Sequence, residues 1–149
     1  MLTADCGYQD APQGPKLLVY YGPCLWVNIG CDPSFTPQTN APPKAGISNV
    51  EALVDTGAQE SCIDELLAAD LELPISDRRT VAGVGSMEVN VHLAQIHIPA
   101  LKFTELGAFA AVPLIGSGFR YKALIGRTLL RHMRMTYDGK TGAVQITRP

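Results

Sequence analysis

The sequence predicts a mainly β domain closed, or nearly closed, into a barrel. Three observations predict it: many short apolar runs with strand character, glycine and proline punctuation between them, and few segments with helical spacing. With 149 residues, 46% hydrophobic and 17% charged, there is apolar material for one real core and too little chain for two good domains.

The first sixteen residues, with Gly7, Pro12, Gly14 and Pro15 among polar neighbours, read as a flexible arm (1–16) ahead of a single domain (17–149). Residues 17–21 are rich in β-formers, Gly22-Pro23 is a turn signal, and 25–29 form a second strand, a hairpin-like opening. Four prolines, Pro33, Pro37, Pro42 and Pro43, with Ser, Thr and Asn around them, mark an exposed loop. An apolar strand over 50–54 then breaks abruptly at Asp55. Ser61, followed three residues later by Asp64, resembles a capping box, and Ile63, Leu66, Leu67 and Leu71 keep helical spacing up to Pro74. Strand character returns at 81–84 and in the alternation of Val89, Val91 and Leu93 with Glu88, Asn90 and His92, and Gly83 and Gly85 tip the hairpin. Residues 96–98, 101–103 and 108–114 are further short strands, 127–133 is the best remaining helix, and 135–137 pairs with 143–146 across Asp-Gly-Lys-Thr-Gly.

A net charge of -2 and a pI near 5.9 give no electrostatic reason to expect nucleic acid or an anionic membrane as partner. No stretch approaches the roughly 18 apolar residues of a membrane span. The opening Met-Leu-Thr-Ala-Asp-Cys lacks the order of a secretion signal, so the expected compartment is the cytoplasm. Cys6, Cys24, Cys31 and Cys62 are too sparse for a disulfide scaffold, have no C-x-x-C spacing, and read as free thiols. His92 and His97 lack the cysteine or acid spacing that would complete a metal site and read as ordinary strand histidines; no cofactor is expected. Trp26 and Tyr20 read as core or interface residues. Cys62 reads as a small buried hydrophobe, and Ser61 has no Gly-x-Ser-x-Gly elbow around it.

The chemistry rests on Asp55-Thr56-Gly57. At average residue usage roughly three chains in a hundred of this length contain that triplet by chance, so its context has to carry the argument. It follows the apolar run Ala52-Leu53-Val54 and precedes the small Ala58, which places a carboxylate where a buried strand turns sharply. About seventy residues on, Ala123-Leu124-Ile125-Gly126 is a second apolar strand ending at glycine, followed by Arg127-Thr128-Leu129-Leu130. Between them stands the glycine-rich Val81-Ala82-Gly83-Val84-Gly85-Ser86.

These three motifs, in this order, resemble the retropepsins, the retroviral-type, single-lobe aspartic peptidases, over residues from about 17 to 146. The resemblance implies a small closed barrel of the acid protease type, with one or two short helices, working as a two-fold homodimer. It implies a catalytic Asp55, a Thr56 hydroxyl that bonds across the two-fold axis, and a Gly57 backbone offered to substrate. It implies that Gly126 lets the chain pass close beneath the catalytic loop, with Arg127 structural beside it, and that 81–86 form a flap. Substrate contacts are then expected from Ala58, Gln59, Val81, Gly83, Val84, Gly85, Leu124 and Ile125. The chain departs from many retroviral members, which place an acid two residues after the triplet glycine to pair with the arginine of the second motif. Here Gln59 is expected to face Arg127, with Glu60 and Asp64 nearby.

The dimer also follows from charge. Hydrolysis of this type needs two carboxylates sharing one proton, since like charges about 3 Å apart cannot both ionise, and the chain carries one Asp-Thr-Gly and no Asp-Ser-Gly. Two functions are consistent with the sequence: an aspartic endopeptidase acting on extended polypeptides, and a non-catalytic dimeric module that binds peptides or oligomerises on the same fold. The intact triplet favours the first.

Overall fold

The computed structural model describes residues 1–83 and 85–149. In chain order the elements are β1 (Leu2–Asp5), α1 (Gly14–Tyr21), β2 (Cys24–Gly30), β3 (Ile47–Val54), β4 (Cys62–Asp64), α2 (Glu65–Asp70), β5 (Ile75–Gly83), β6 (Gly85–Ile98), β7 (Phe103–Val112), β8 (Ala123–Ile125), α3 (Arg127–Leu130), β9 (Arg134–Asp138) and β10 (Ala143–Arg148). The strand order β2-β3-β8-β4-β7-β6 returns to β2 through Asn28↔His97, Ile29↔Ile96 and Gly30↔Gln95, so six strands close a barrel. This is the mainly β architecture that the patterning predicts, and closure leaves no open edge along that ring.

The barrel closes because its strands alternate. In β2, Leu25, Val27 and Ile29 are buried while Trp26 faces out; in β3, Val50, Ala52 and Val54 are buried. These side chains meet Ile63, Ile96, Ile98, Ala123, Ile125 and Leu129 in one continuous core. The 14-residue β6 belongs to two structures at once. Its second half pairs with β7 and β2, whereas its first half pairs with β5 and carries four exposed residues in a row, projecting from the barrel as a hairpin.

The N-terminal expectation is corrected. Residues 1–16 do not lie outside the core: β1 pairs with β10 from Leu2↔Arg148 to Asp5↔Gln145, and β10 pairs with β9. Ala4 and Cys6 are buried against Val144 and Ile146, and Cys6 N–H donates to Val144 O at 2.8 Å. The glycines that read as flexibility are instead points of close packing; a Cβ on Gly7 would strike the Gly142 carbonyl oxygen. Residues 17–21, read as a strand, are the second half of α1. Pro15 in the first turn and the Leu17 N–H bond to Gln13 O (2.9 Å) start a helix that buries Gly14 and Leu18, and this anchoring overrides local β-propensity.

The helix read from Ser61 begins later. Cys62–Asp64 is a strand, parallel to β7 and antiparallel to β8, and the cap of α2 is Asp64. Its buried carboxylate accepts from Leu66 and Leu67 N–H (3.1 and 3.2 Å) through one oxygen and from Leu114 and Ile115 N–H (3.1 and 2.9 Å) through the other. Asp64 therefore joins α2 to the turn after β7 and is unavailable to Arg127. Asp64→Ala should lower unfolding stability by about 3 kcal/mol, because it removes a buried acceptor shared by four backbone N–H groups as well as a helix cap; chemical denaturation of the two proteins checks this.

Candidate active site

Strands β3 and β8 run parallel, with Ala52↔Ala123, Leu53↔Leu124 and Val54↔Ile125 in register, and both end at the same level. Asp55 leaves β3 with its N–H on Ile125 O at 2.9 Å. The chain turns at once: Ala58 N–H donates to Asp55 O (3.2 Å), and Gly57 N–H donates to Asp55 Oδ1 (2.9 Å). The start of α3 laces this loop from below. Arg127 N–H reaches Ala58 O (2.9 Å), Thr128 N–H reaches Gln59 O (3.0 Å), and the Arg127 guanidinium donates to Thr56 O (2.7 Å). Gly126 makes the approach possible, since a Cβ there would lie 2.5 Å from the Glu60 carbonyl carbon and 2.9 Å from Ser61 N. Its N–H donates to the buried Ser61 Oγ at 3.0 Å.

Asp55 is partly exposed on the wall of a cleft of about 790 Å³ between this loop and the β5–β6 hairpin. The family comparison bears on this arrangement. The gag-polyprotein putative aspartyl protease family matches the chain over residues 45–132, more than half its length. The chain belongs to this family of retropepsin-like aspartyl proteases. The match runs from just before β3 to just after α3, so it takes in the triplet, the hairpin and the second motif; β1, α1, β2, β9 and β10 lie outside it. No curated protein matches the sequence.

Within this retropepsin-like frame the cleft has an apolar floor and a charged rim. Buried Cys62, Val89 and Ala110, with Val81, Val112 and Leu124 packed on them, form a small cluster separate from the main core. Arg79 of β5 forms an ion pair with Glu60, tying the hairpin to the loop after the triplet. Among the described residues no group of His, Cys, Asp and Glu is placed to hold a metal, and no helix is long and apolar enough to cross a membrane. His92 Nδ1 contacts Leu73 O (2.8 Å), and His97 Nδ1 contacts Thr104 Oγ1 (2.7 Å).

Of the residues singled out in the sequence, Asp55, Gly57, Ala58, Gln59, Val81, Leu124 and Arg127 line the cleft together. Thr56 is exposed beside them on the loop. Gly83 and Gly85 pair across the end of the hairpin, with Gly85 at φ +92°, and Val84 lies outside the described residues. Ile125 is a correction: it is fully buried in the main core, because alternation along β8 turns Leu124 to the cleft and Ala123 and Ile125 inward. The arginine contact is a second correction. Arg127 bonds the Thr56 carbonyl rather than the Gln59 side chain, and Glu60 turns to Arg79. Sequence reasoning missed Arg79, Ala110 and Val112 as cleft residues. The run over 108–114 holds the signal for the latter two, since strand parity puts both on one face.

Cys62 combines two roles, floor of the cleft and buried hydrophobe. Burial pushes its thiol from an ordinary value of 9.0 up to about 12, and the nearby Asp55 charge adds to the shift. Burial does the same for Cys6. The folded chain thus holds both protons to higher pH than the unfolded chain. The associated stability is intact below pH 9 and should fall between pH 9 and about 12, by on the order of 1 kcal/mol per thiol per pH unit. Cys62→Ala should flatten that slope in denaturation curves recorded across the window. Gly126→Ala, which forces a Cβ into backbone that cannot yield cheaply, should cost about 3 kcal/mol in the same assay at neutral pH.

Proposed function

We propose that this chain is an aspartic endopeptidase whose active site forms between two copies at a two-fold axis. The observation that carries the reading is the placement of Asp55, held between Ile125 O and Gly57 N–H on the wall of a cleft with an apolar floor. One protomer supplies one carboxylate. A dyad requires Asp55 of the partner subunit within about 3 Å, where repulsion between like charges leaves the pair with a single proton near neutrality. The ionised member takes a proton from water, which attacks the scissile carbonyl carbon, while the protonated member donates to the carbonyl oxygen. The tetrahedral intermediate then breaks its C–N bond as the leaving amine gains a proton.

The residues around Asp55 suit that task. Thr56 is exposed on the loop and free to bond across the axis, and Gly57 presents backbone to the cleft. Ala58, Gln59 and Leu124 on one side, and Val81, Gly83 and Gly85 of the hairpin on the other, bracket an extended peptide that docks by backbone hydrogen bonds as an added strand. The apolar floor favours apolar side chains flanking the cut, each worth roughly 1.5–3 kcal/mol when fully buried.

Cleavage of an unfolded protein mixture from acid to neutral pH, with and without a statine-type inhibitor, tests the reading. Wild type should cleave with a bell-shaped pH dependence and be inhibited; Asp55→Asn should lose on the order of 10³-fold or more in rate. Absence of cleavage by both proteins at every pH would sink the peptidase and leave a peptide-binding module.

A further inference from the structure

Neighbouring residues of β5 and β7 divide between two cavities. Arg79, Ala110 and Val112 line the cleft, whereas Arg78 and Ala111 line a separate groove of about 630 Å³ between α2 and the β5–β6 hairpin. The two cavities share no lining residue. The groove has apolar walls open to solvent: Ile75 and Met87 are 60% and 45% exposed, with Leu73 and Ala68 buried beside them.

Its charge is one-sided. Glu65 at the start of α2 and Glu72 just past its end line the groove, are exposed, and have no ion-pair partner among the described residues. The arginine of the groove is already committed, since Arg78 binds Glu88 at 3.2 Å and Asn90 Oδ1 at 2.7 Å.

A third acceptor is buried. His92 lines the same groove and is 5% exposed. Its Nδ1 lies 2.8 Å from Leu73 O. A carbonyl oxygen only accepts, so Nδ1 carries the proton and the neutral ring keeps a lone pair on Nε2. Among the described residues Nε2 has no hydrogen-bond partner. A nearly buried imidazole nitrogen without a protein partner, set between two free carboxylates, calls for a donor from outside the chain.

The complementary ligand is a cation with N–H donors on an apolar frame. A lysine or arginine flanked by apolar residues in an extended polypeptide has this chemistry, and the groove has the volume for several of its side chains. We propose that the groove between α2 and the hairpin binds a basic, apolar-flanked segment of polypeptide. On the peptidase reading, on which this part rests, it is a second docking site for substrate, outside the cleft.

Binding is measured by calorimetry on Asp55→Asn, which leaves the probe intact. The probes are the acetylated, amidated peptide Leu-Lys-Leu-Arg-Leu and its counterpart with Glu in place of Lys and Arg. The basic peptide should bind at low ionic strength and weaken in salt, and the acidic one should bind at least tenfold more weakly. Adding Glu65→Gln/Glu72→Gln should weaken the basic peptide about tenfold with the melting temperature unchanged. Asp10→Asn/Asp70→Asn, which neutralises two exposed carboxylates outside the groove, should leave its affinity as it was. The nitrogen resonance of His92 Nε2 should move on binding, a readout that needs no change in the groove. No binding, equal binding of both peptides, equal loss in the two double variants, or an unmoved Nε2 resonance overturns the proposal. In otherwise wild-type protein, Glu65→Gln/Glu72→Gln should raise KM about tenfold, with kcat kept, for substrates carrying a basic segment outside the cut stretch. An unchanged KM overturns the substrate role. Peptide binding in the groove by a protein that cleaves nothing removes the peptidase reading and leaves the basic-peptide site standing.

Discussion

The peptide between Glu60 and Ser61 and the backbone of Gly126 occupy nearly the same space, and much of the molecule follows from how they share it. Only a residue without a Cβ lets β8 end directly beneath the loop over 55–60. That closeness puts the N–H groups of Asp55, Arg127 and Thr128 within reach of carbonyls across the gap, and puts Ser61 Oγ on Gly126 N–H. A loop that would otherwise hold unpaired backbone at the mouth of a barrel becomes a fixed platform. Asp55 owes its position chiefly to backbone geometry, reinforced by the Arg127 guanidinium on Thr56 O and by Ser61 Oγ on Gly126 N–H.

The packing divides along the same line. The main core lies inside the barrel and draws on nearly every strand, whereas the six-residue cluster under the hairpin belongs to the cleft. Adjacent residues of β8 serve the two in turn: Ala123 and Ile125 face the core and Leu124 faces the cleft. Residues that set what the cleft accepts can therefore change without opening a cavity in the core, while a change at Ile125 is a matter of stability. The Arg79–Glu60 pair belongs to the cleft side. Both partners are partly exposed, so its worth lies in where it holds β5 relative to the loop rather than in stability.

Strand alternation and the two apolar-strand-to-glycine motifs made the barrel and the loop at Asp55 legible in the sequence, because each has a local signature that tertiary context reinforces. The N-terminal segment was illegible for the opposite reason. Gly7 and Gly14 mark close packing against the β9–β10 turn, and composition cannot separate a glycine that must be small from one that is free to move. In residues 17–21 β-propensity competed with Pro15 and the Leu18 anchor, and the anchor prevailed. Asp64 was visible as a capping residue but not as the partner of Leu114 and Ile115, fifty residues away, a contact that exists only once β4 and β7 lie parallel.

The closure of β1 on β10 links that illegible segment to function. Both neighbours of β10 come from its own chain, so the three-stranded sheet is built within one protomer, and β1 and β9 are its edge strands. On the proposed reading, folding of the protomer and assembly of the shared site are separable steps. A protomer that folds alone then carries half a dyad and no activity, so catalysis depends on concentration through mass action rather than on unfolding.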